Sequence, residues 1–250
     1  MSNIKINIVT SAFNNLEMTK IMYESVKKYT DVPYKHIIVE NNSVDGTREW
    51  LKSIDDPNLE KIFPEKNLGG VGARNVGIDN MDEDSGYFVS TDNDIVFTEY
   101  WASRFVDFME KNKTVGISGP STNFAGNPQI IKDVPKFSID DIEGIQSFSE
   151  NIYKKYPSFS IAPDTWPVVG FCFFVRREVI NQVGKFDENL VSWADETDYC
   201  RRAEIRGWKM AYINYIYIHH WGHASKGTPG AHYITEMSKS IEYFKNKWGS

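Results

Sequence analysis

Apolar residues fall along the first half of the chain in two alternating rhythms. Short apolar runs at 4–9, 36–39, 87–90 and 115–118 have the length of buried strands. Between them, apolar positions recur at helical spacing, first at Leu16, Ile21, Met22, Val26 and Tyr29, then over 45–54, 71–78 and 100–109. Asp45, followed by Gly46 and Thr47, gives the second of these helices a start signal. Strands separated by helices in this way predict an α/β fold with a mostly parallel sheet covered on both faces. Ligands of such sheets sit beyond the carboxyl ends of the strands, which singles out three loops, 10–14, 40–45 and 91–94.

After residue 120 the rhythm changes. The stretch 121–166 carries Pro128, Pro135, Pro157 and Pro163 among scattered aromatics and little sustained periodicity, so it reads as a long irregular excursion. A buried strand is expected at 170–175, helices at 177–183 and 195–206, and an aromatic-rich strand at 210–219. An amphipathic helix or tail follows at 234–248. Its Lys239, Lys245 and Lys247 beside Ile241, Tyr243 and Phe244 would suit a membrane surface, but docking onto its own domain is the commoner outcome. There is no internal repeat.

With 250 residues, 41% of them apolar, the chain can bury one sizeable core, and a single domain over 1–250 is expected. Lys and Arg number 28 against 34 Asp and Glu, a net charge of −6 that disfavours a broad nucleic-acid surface. The two cysteines, Cys172 and Cys200, exclude a disulfide framework and a four-cysteine zinc site. No apolar run approaches the roughly 20 residues of a transmembrane helix, and residues 1–10 lack a signal-peptide pattern. A cytoplasmic protein is expected.

Four clusters carry candidate chemistry. Asp92-Asn93-Asp94 follows a buried strand, and two carboxylates there can converge on a hard cation such as Mg²⁺ or Mn²⁺; a solvated turn is the plain alternative. The glycine-rich run 67–77 can bring a helix start close to phosphate, with Arg74 facing a diphosphate, or can be a simple turn and helix. At 193–202, Asp195, Glu196 and Asp198 crowd one helix start, as general-base candidates or as partners of the helix dipole. His219, His220 and His223 offer imidazoles for a metal, although strand alternation turns His219 and His220 to opposite faces, leaving at most one to share a site with Asp94.

In their order and spacing, these residues together resemble the family 2 inverting glycosyltransferases of the GT-A fold, over about 4–225. The motifs are Ile8-Val9-Thr10-Ser11-Ala12-Phe13-Asn14-Asn15, then Val39-Glu40-Asn41-Asn42-Ser43-Val44-Asp45-Gly46-Thr47. After them come Asn67 to Gly77 (one residue shorter before its alanine than the family pattern), Asp92-Asn93-Asp94, Gly184-Lys185-Phe186-Asp187-Glu188, and Asp195-Glu196-Thr197-Asp198-Tyr199-Cys200-x-Arg202. The resemblance implies a GT-A sheet, mostly parallel and flanked by helices, with an irregular acceptor-side C-terminal part. Residues 1–120 would form the nucleotide-binding half, 121–230 the acceptor-side half and 231–250 a C-terminal helix or tail.

It also implies roles. Thr10, Ala12 and Phe13 would border the base and Glu40 would contact its edge. Asp45, Gly70 and Arg74 would lie near the nucleotide, and Asp92 at the ribose or the metal. Asp94 would ligate Mn²⁺ or Mg²⁺ with His220, or less readily His219, with Ser225 behind. The family's acidic pair is Glu-Asp with the second member as base. Here it is Asp195-Glu196, which puts Glu196 in the base position while leaving Asp195 open. Trp193 would stack on the acceptor. The implied partners are a nucleotide-sugar donor, UDP before dTDP or GDP, and a hydroxyl acceptor of unknown kind (glycan, protein, lipid or modified base). Nucleotidyl transfer would need glycine and a basic residue after the first strand, where 10–15 has neither. A silent sugar-nucleotide or carbohydrate-binding protein and a three-histidine zinc hydrolase are the remaining alternatives.

Overall fold

In the computed structural model, which describes residues 4–125, 128–162, 167–191, 193–222 and 231–249, the buried runs of the sequence line up side by side. In chain order the elements are β1 (Lys5–Ala12), α1 (Leu16–Tyr29), β2 (Tyr34–Glu40), α2 (Thr47–Ser53), β3 (Leu59–Ile62), α3 (Gly69–Asp79), β4 (Ser85–Asp92), β5 (Ile95–Val96), α4 (Trp101–Lys111) and β6 (Val115–Ser121). They continue as α5 (Ile142–Lys155), β7 (Phe159–Ile161), β8 (Cys172–Arg176), α6 (Arg177–Val183), α7 (Asp195–Glu204), β9 (Lys209–Tyr217), β10 (His219–His220) and α8 (Ala231–Trp248).

Eight strands form one sheet in the order β3-β2-β1-β4-β8-β6-β9-β7. The links β3–β2, β2–β1, β1–β4 and β6–β9 are parallel, whereas β8 and the edge strand β7 run against their neighbours. The expected α/β sheet, mainly parallel and flanked by helices, is therefore present. Side-chain alternation along β1 shows how it is covered. Ile6, Ile8 and Ala12 point into a core with Met22, Tyr23 and Val26 of α1 and Trp101, Phe105 and Met109 of α4. Val9 points the other way, toward Val71 and Ala73 of α3, Val179 and Val183 of α6, and Tyr199 and Ala203 of α7.

The excursion after β6 departs from expectation. From residue 142 it is a 14-residue helix, α5, whose start is capped by Asp141, the side chain accepting from Gly144 N at 2.9 Å. Ile145 and Ile152 of α5 pack with Val96 and Tyr217 into a small separate core. The helix signal was present in Ile142, Ile145, Ser149 and Ile152, but flanking prolines and aromatics obscured it. β3 and β7 are short strands that the pattern did not reveal. Among the described residues no helix is long and apolar enough to cross a membrane.

Candidate active site

The turn after β4 is built by its middle residue. Asn93 turns inward and donates to Asn14 O (2.9 Å) and Thr19 Oγ1 (2.8 Å), which leaves the carboxylates on either side free to face another direction. β10 then pairs antiparallel with β5, His220 opposite Ile95, and Trp221 N donates to Asp94 O at 3.0 Å. This short ladder brings His220 Nε2 to 3.2 Å from Asp94 Oδ1 and 3.8 Å from Asp92 Oδ2. One ligand atom from each of Asp92, Asp94 and His220 lies within 4.8 Å of the others. The imidazole is fixed by its Nδ1 hydrogen bond to Phe124 O (2.8 Å), by Phe171 stacked at 5.1 Å and by Phe124 edge-on at 5.5 Å.

Burial works to lower the His220 pKa, but the hydrogen bond to Asp94 and the charges of Asp92 and Asp94 raise it above the ordinary value. His219 faces the opposite side, hydrogen-bonded to Tyr217 OH at 2.8 Å and in contact with Phe137 and Trp221. Burial and then the His220 charge depress its pKa to about 4. Alternation thus separates the two histidines as expected, and it is His220 that meets the carboxylates. Two carboxylates and one imidazole nitrogen, oriented by a second hydrogen bond, fit Mn²⁺ or Mg²⁺. His223 and Ser225 lie outside the described residues, as does Trp166 of the excursion.

The second charged group centres on Arg74. Its buried guanidinium, expected beside the nucleotide, pairs with Asp195 of α7 and donates to Ser90 Oγ at 3.0 Å and Gly170 O at 3.4 Å. It also lies 5.5 Å above the Phe186 ring. The reason is long-range topology: α3 and α7 cover the same face of the sheet, which brings Arg74 to the start of α7. Burial, and next the Glu196 charge, push the Asp195 carboxyl well up, against the pull of Arg74.

Glu196 is less enclosed, its side chain 22% exposed against 10% for Asp195. Its Oε1 accepts from Gly170 N at 3.0 Å and lies 3.9 Å from Arg74 Nη2. Asp92 lies within electrostatic reach of His220, Asp94, Arg74 and Glu196 together, so the two groups share one region. Nothing local in the sequence marks Gly170, two residues before β8, as the partner of a carboxylate 26 residues later.

The nucleotide-side candidates divide. Phe13 is 37% exposed at the end of β1, and the Cα of Gly70 faces open space. Thr10 does not present its side chain: the hydroxyl is buried against His36 Nε2 (2.9 Å) and Thr91 Oγ1 (2.8 Å), on the core side with Ala12. Glu40, expected at the edge of the base, is enclosed. It is fully buried, with Oε1 accepting from Ser43 N at 2.6 Å and Oε2 3.3 Å from Arg48 Nη1, so it shapes the 41–43 loop from within. Asp45 caps two helices at once, accepting from Leu16 N (2.9 Å), Thr47 N (3.1 Å) and Thr47 Oγ1 (2.6 Å). Trp193 is 42% exposed, one ring edge against Phe244 of α8 at 5.6 Å.

A sequence profile of glycosyl transferase family 2 matches residues 7–184. The glycosyltransferase AglE of Haloferax volcanii is 24% identical over 214 residues, 84% of this chain and 64% of that protein. The minor teichoic acid biosynthesis protein GgaA of Bacillus subtilis is 23% identical over 198 residues, 76% of this chain and 41% of that protein. The chain thus spans less than two thirds of these relatives. Among solved structures, S. aureus TarS 1–349 in complex with UDP-GlcNAc superposes with a TM-score of 0.64 at 14% identity, covering 97% of this chain and 67% of that one. The mannosyltransferase PcManGT from Pyrobaculum calidifontis, in complex with GDP-Man and Mn²⁺, superposes with a TM-score of 0.63 at 15% identity, covering 97% and 65%. At such identities these superpositions speak for the GT-A fold.

Proposed function

Because the chain belongs to glycosyl transferase family 2, we propose that it moves a sugar from a nucleoside-diphosphate sugar, UDP foremost, to a hydroxyl acceptor in one inverting displacement. The observation that carries this reading is the nearness of two groups joined through residues 170–171: Gly170 N donates to Glu196 and its O accepts from Arg74, while Phe171 O accepts from Asp92 N and its ring stacks on His220, beside Asp94. Asp92, Asp94 and His220 would hold Mn²⁺ or Mg²⁺, which supplies Lewis-acid charge where a diphosphate departs.

Glu196 is the base in this reading. Asp195 is in direct contact with Arg74, whereas Glu196 stands farther from that guanidinium, accepts from Gly170 N and is the more exposed of the two. Glu196 takes the acceptor hydroxyl proton as that oxygen bonds to the anomeric carbon. The bond from the anomeric carbon to the diphosphate oxygen breaks, and its electron pair leaves with the nucleoside diphosphate. Attack opposite the leaving group inverts the configuration, with no covalent sugar–protein intermediate. Arg74 acts as a strut: it neutralises Asp195, so that Glu196 does not face an unpaired like charge.

The test is release of nucleoside diphosphate from a panel of sugar nucleotides with Mn²⁺ and candidate alcohol acceptors. The wild-type chain is expected to turn over one donor, and Asp94→Ala and Glu196→Gln to lose about 10²-fold or more in kcat while staying folded. Full activity in Glu196→Gln would remove that residue from the mechanism. Donor binding without any release would leave a sugar-nucleotide-binding protein.

A further inference from the structure

The helix that carries Asp195 and Glu196 is gripped from outside by α8. Lys247 Nζ stands 2.7 Å from Asp198 Oδ1 of α7 and 2.6 Å from Asp187 Oδ2 of the loop leading to it. Trp248 Nε1 donates to Asp198 Oδ1 at 3.0 Å, and Tyr243 OH to Asp187 Oδ2 at 3.0 Å. Asp198 has no exposed side-chain surface, and its other oxygen accepts from Arg202 Nε at 2.7 Å. A carboxylate so enclosed is costly to bury unless donors surround it, so removing one of them is felt on α7.

One turn earlier, Ala194 begins α7 in the left-handed region, at φ 63°. A residue with a Cβ holds that conformation only where its surroundings fix it. Here Phe244 of α8 and Leu190 bury Ala194 in a small core of their own, with Trp193 against the same phenyl ring. Arg201 lies over Phe244 and Trp248 at 5.0 and 5.6 Å and closes the seam. Asp195 and Glu196 follow directly. The family profile ends at residue 184, before either helix.

We propose that α8 is a clamp on the catalytic helix, in which Lys247, Trp248 and Phe244 are positioning residues that hold the first turn of α7 and so set where the Glu196 carboxylate stands. The catalytic part of this inference rests on the reading of Glu196 as base; the clamp itself does not.

The test compares Lys247→Met with Lys247→Arg and wild type in the full chain, by hydrogen exchange resolved to the 193–200 segment and by kcat and donor KM. Lys247→Met is expected to speed exchange at 193–200 about tenfold while the amides of β1 and β4 keep their protection. In the same variant kcat should fall about tenfold at unchanged donor KM, the signature of an interaction used in the transition state. Lys247→Arg, which keeps the charge, should recover most of both. Unchanged exchange at 193–200 in Lys247→Met would overturn the proposal, as would exchange that rises uniformly through the molecule or a kcat left intact. Faster exchange at 193–200 in a protein whose wild type releases no nucleoside diphosphate would uphold the clamp and refute the glycosyl-transfer reading.

Discussion

Gly170 has two charged groups crowded where a side chain would start. A Cβ there would overlap Glu196 Oε1 and Arg74 Nη2, while its N–H and carbonyl hold those same two side chains. The next residue, Phe171, accepts from Asp92 N at 3.0 Å and stacks on His220. One peptide unit therefore spaces Glu196 from Asp92 and His220. Gly170→Ala should lower kcat by about 10²-fold, the cost of misplacing a reacting group by roughly 1 Å. Circular dichroism should show native secondary structure, and a variant with undiminished kcat would contradict the spacing argument. At this scale the sequence was informative where geometry is local: carboxylates on a turn after a buried strand and alternation along 219–220 lead to three side chains that the fold brings together. It misled where a partner lies far along the chain. Arg74 meets Asp195 across 121 residues, and the inward turn of Thr10 and Glu40 depends on His36, Ser43 and Arg48, which no spacing rule connects to a pocket.

Among the elements, α3 shows how one motif serves two ends. Gly69 starts the helix, its N–H bonded to Asn67 Oδ1 at 2.7 Å, near the cleft. Gly77, two turns on, faces β1, where an added Cβ would run into Val9. Asn75 holds the loop before α7 through Phe186 N (2.9 Å) and Phe186 O (3.0 Å). Half of a run that reads as a phosphate cradle is thus helix-to-sheet and helix-to-loop packing. Gly77→Ala should destabilise the fold by about 1–3 kcal/mol, the usual cost of overpacking a tight core. Urea denaturation would register this as a lower midpoint at unchanged slope; an unshifted midpoint would mean that α3 has slack against the sheet. The strongly periodic helices were readable because each buries a stripe against the main sheet. α5 was not, since its Ile145 and Ile152 pack in a minor core against Tyr217 of β9, and its stripe sits among prolines and aromatics that carry no period.

For the whole molecule, the proposed site joins groups from β4, β10, α3, α7 and the start of β8, so a ligand seated there ties distant parts of the chain together. Binding to the native state alone at 100 times Kd adds about 2.7 kcal/mol. For a chain of this size, that is a rise in Tm of roughly 5–10 °C. UDP or a UDP-sugar with Mn²⁺ should give such a rise, and a chelator should remove most of it. A rise that is indifferent to the chelator would detach nucleotide binding from Asp92, Asp94 and His220.

The excursion that leaves the sheet at β6 first rejoins it at the edge as β7, beside β9, and then as β8 beside the strand it left, Ile117 opposite Val175. These anchors divide it into shorter links, and it is the links whose length is weakly constrained: doubling a flexible loop adds only about 0.6 kcal/mol of closure cost. Insertions confined to those links should therefore leave the strand order of the sheet as it is.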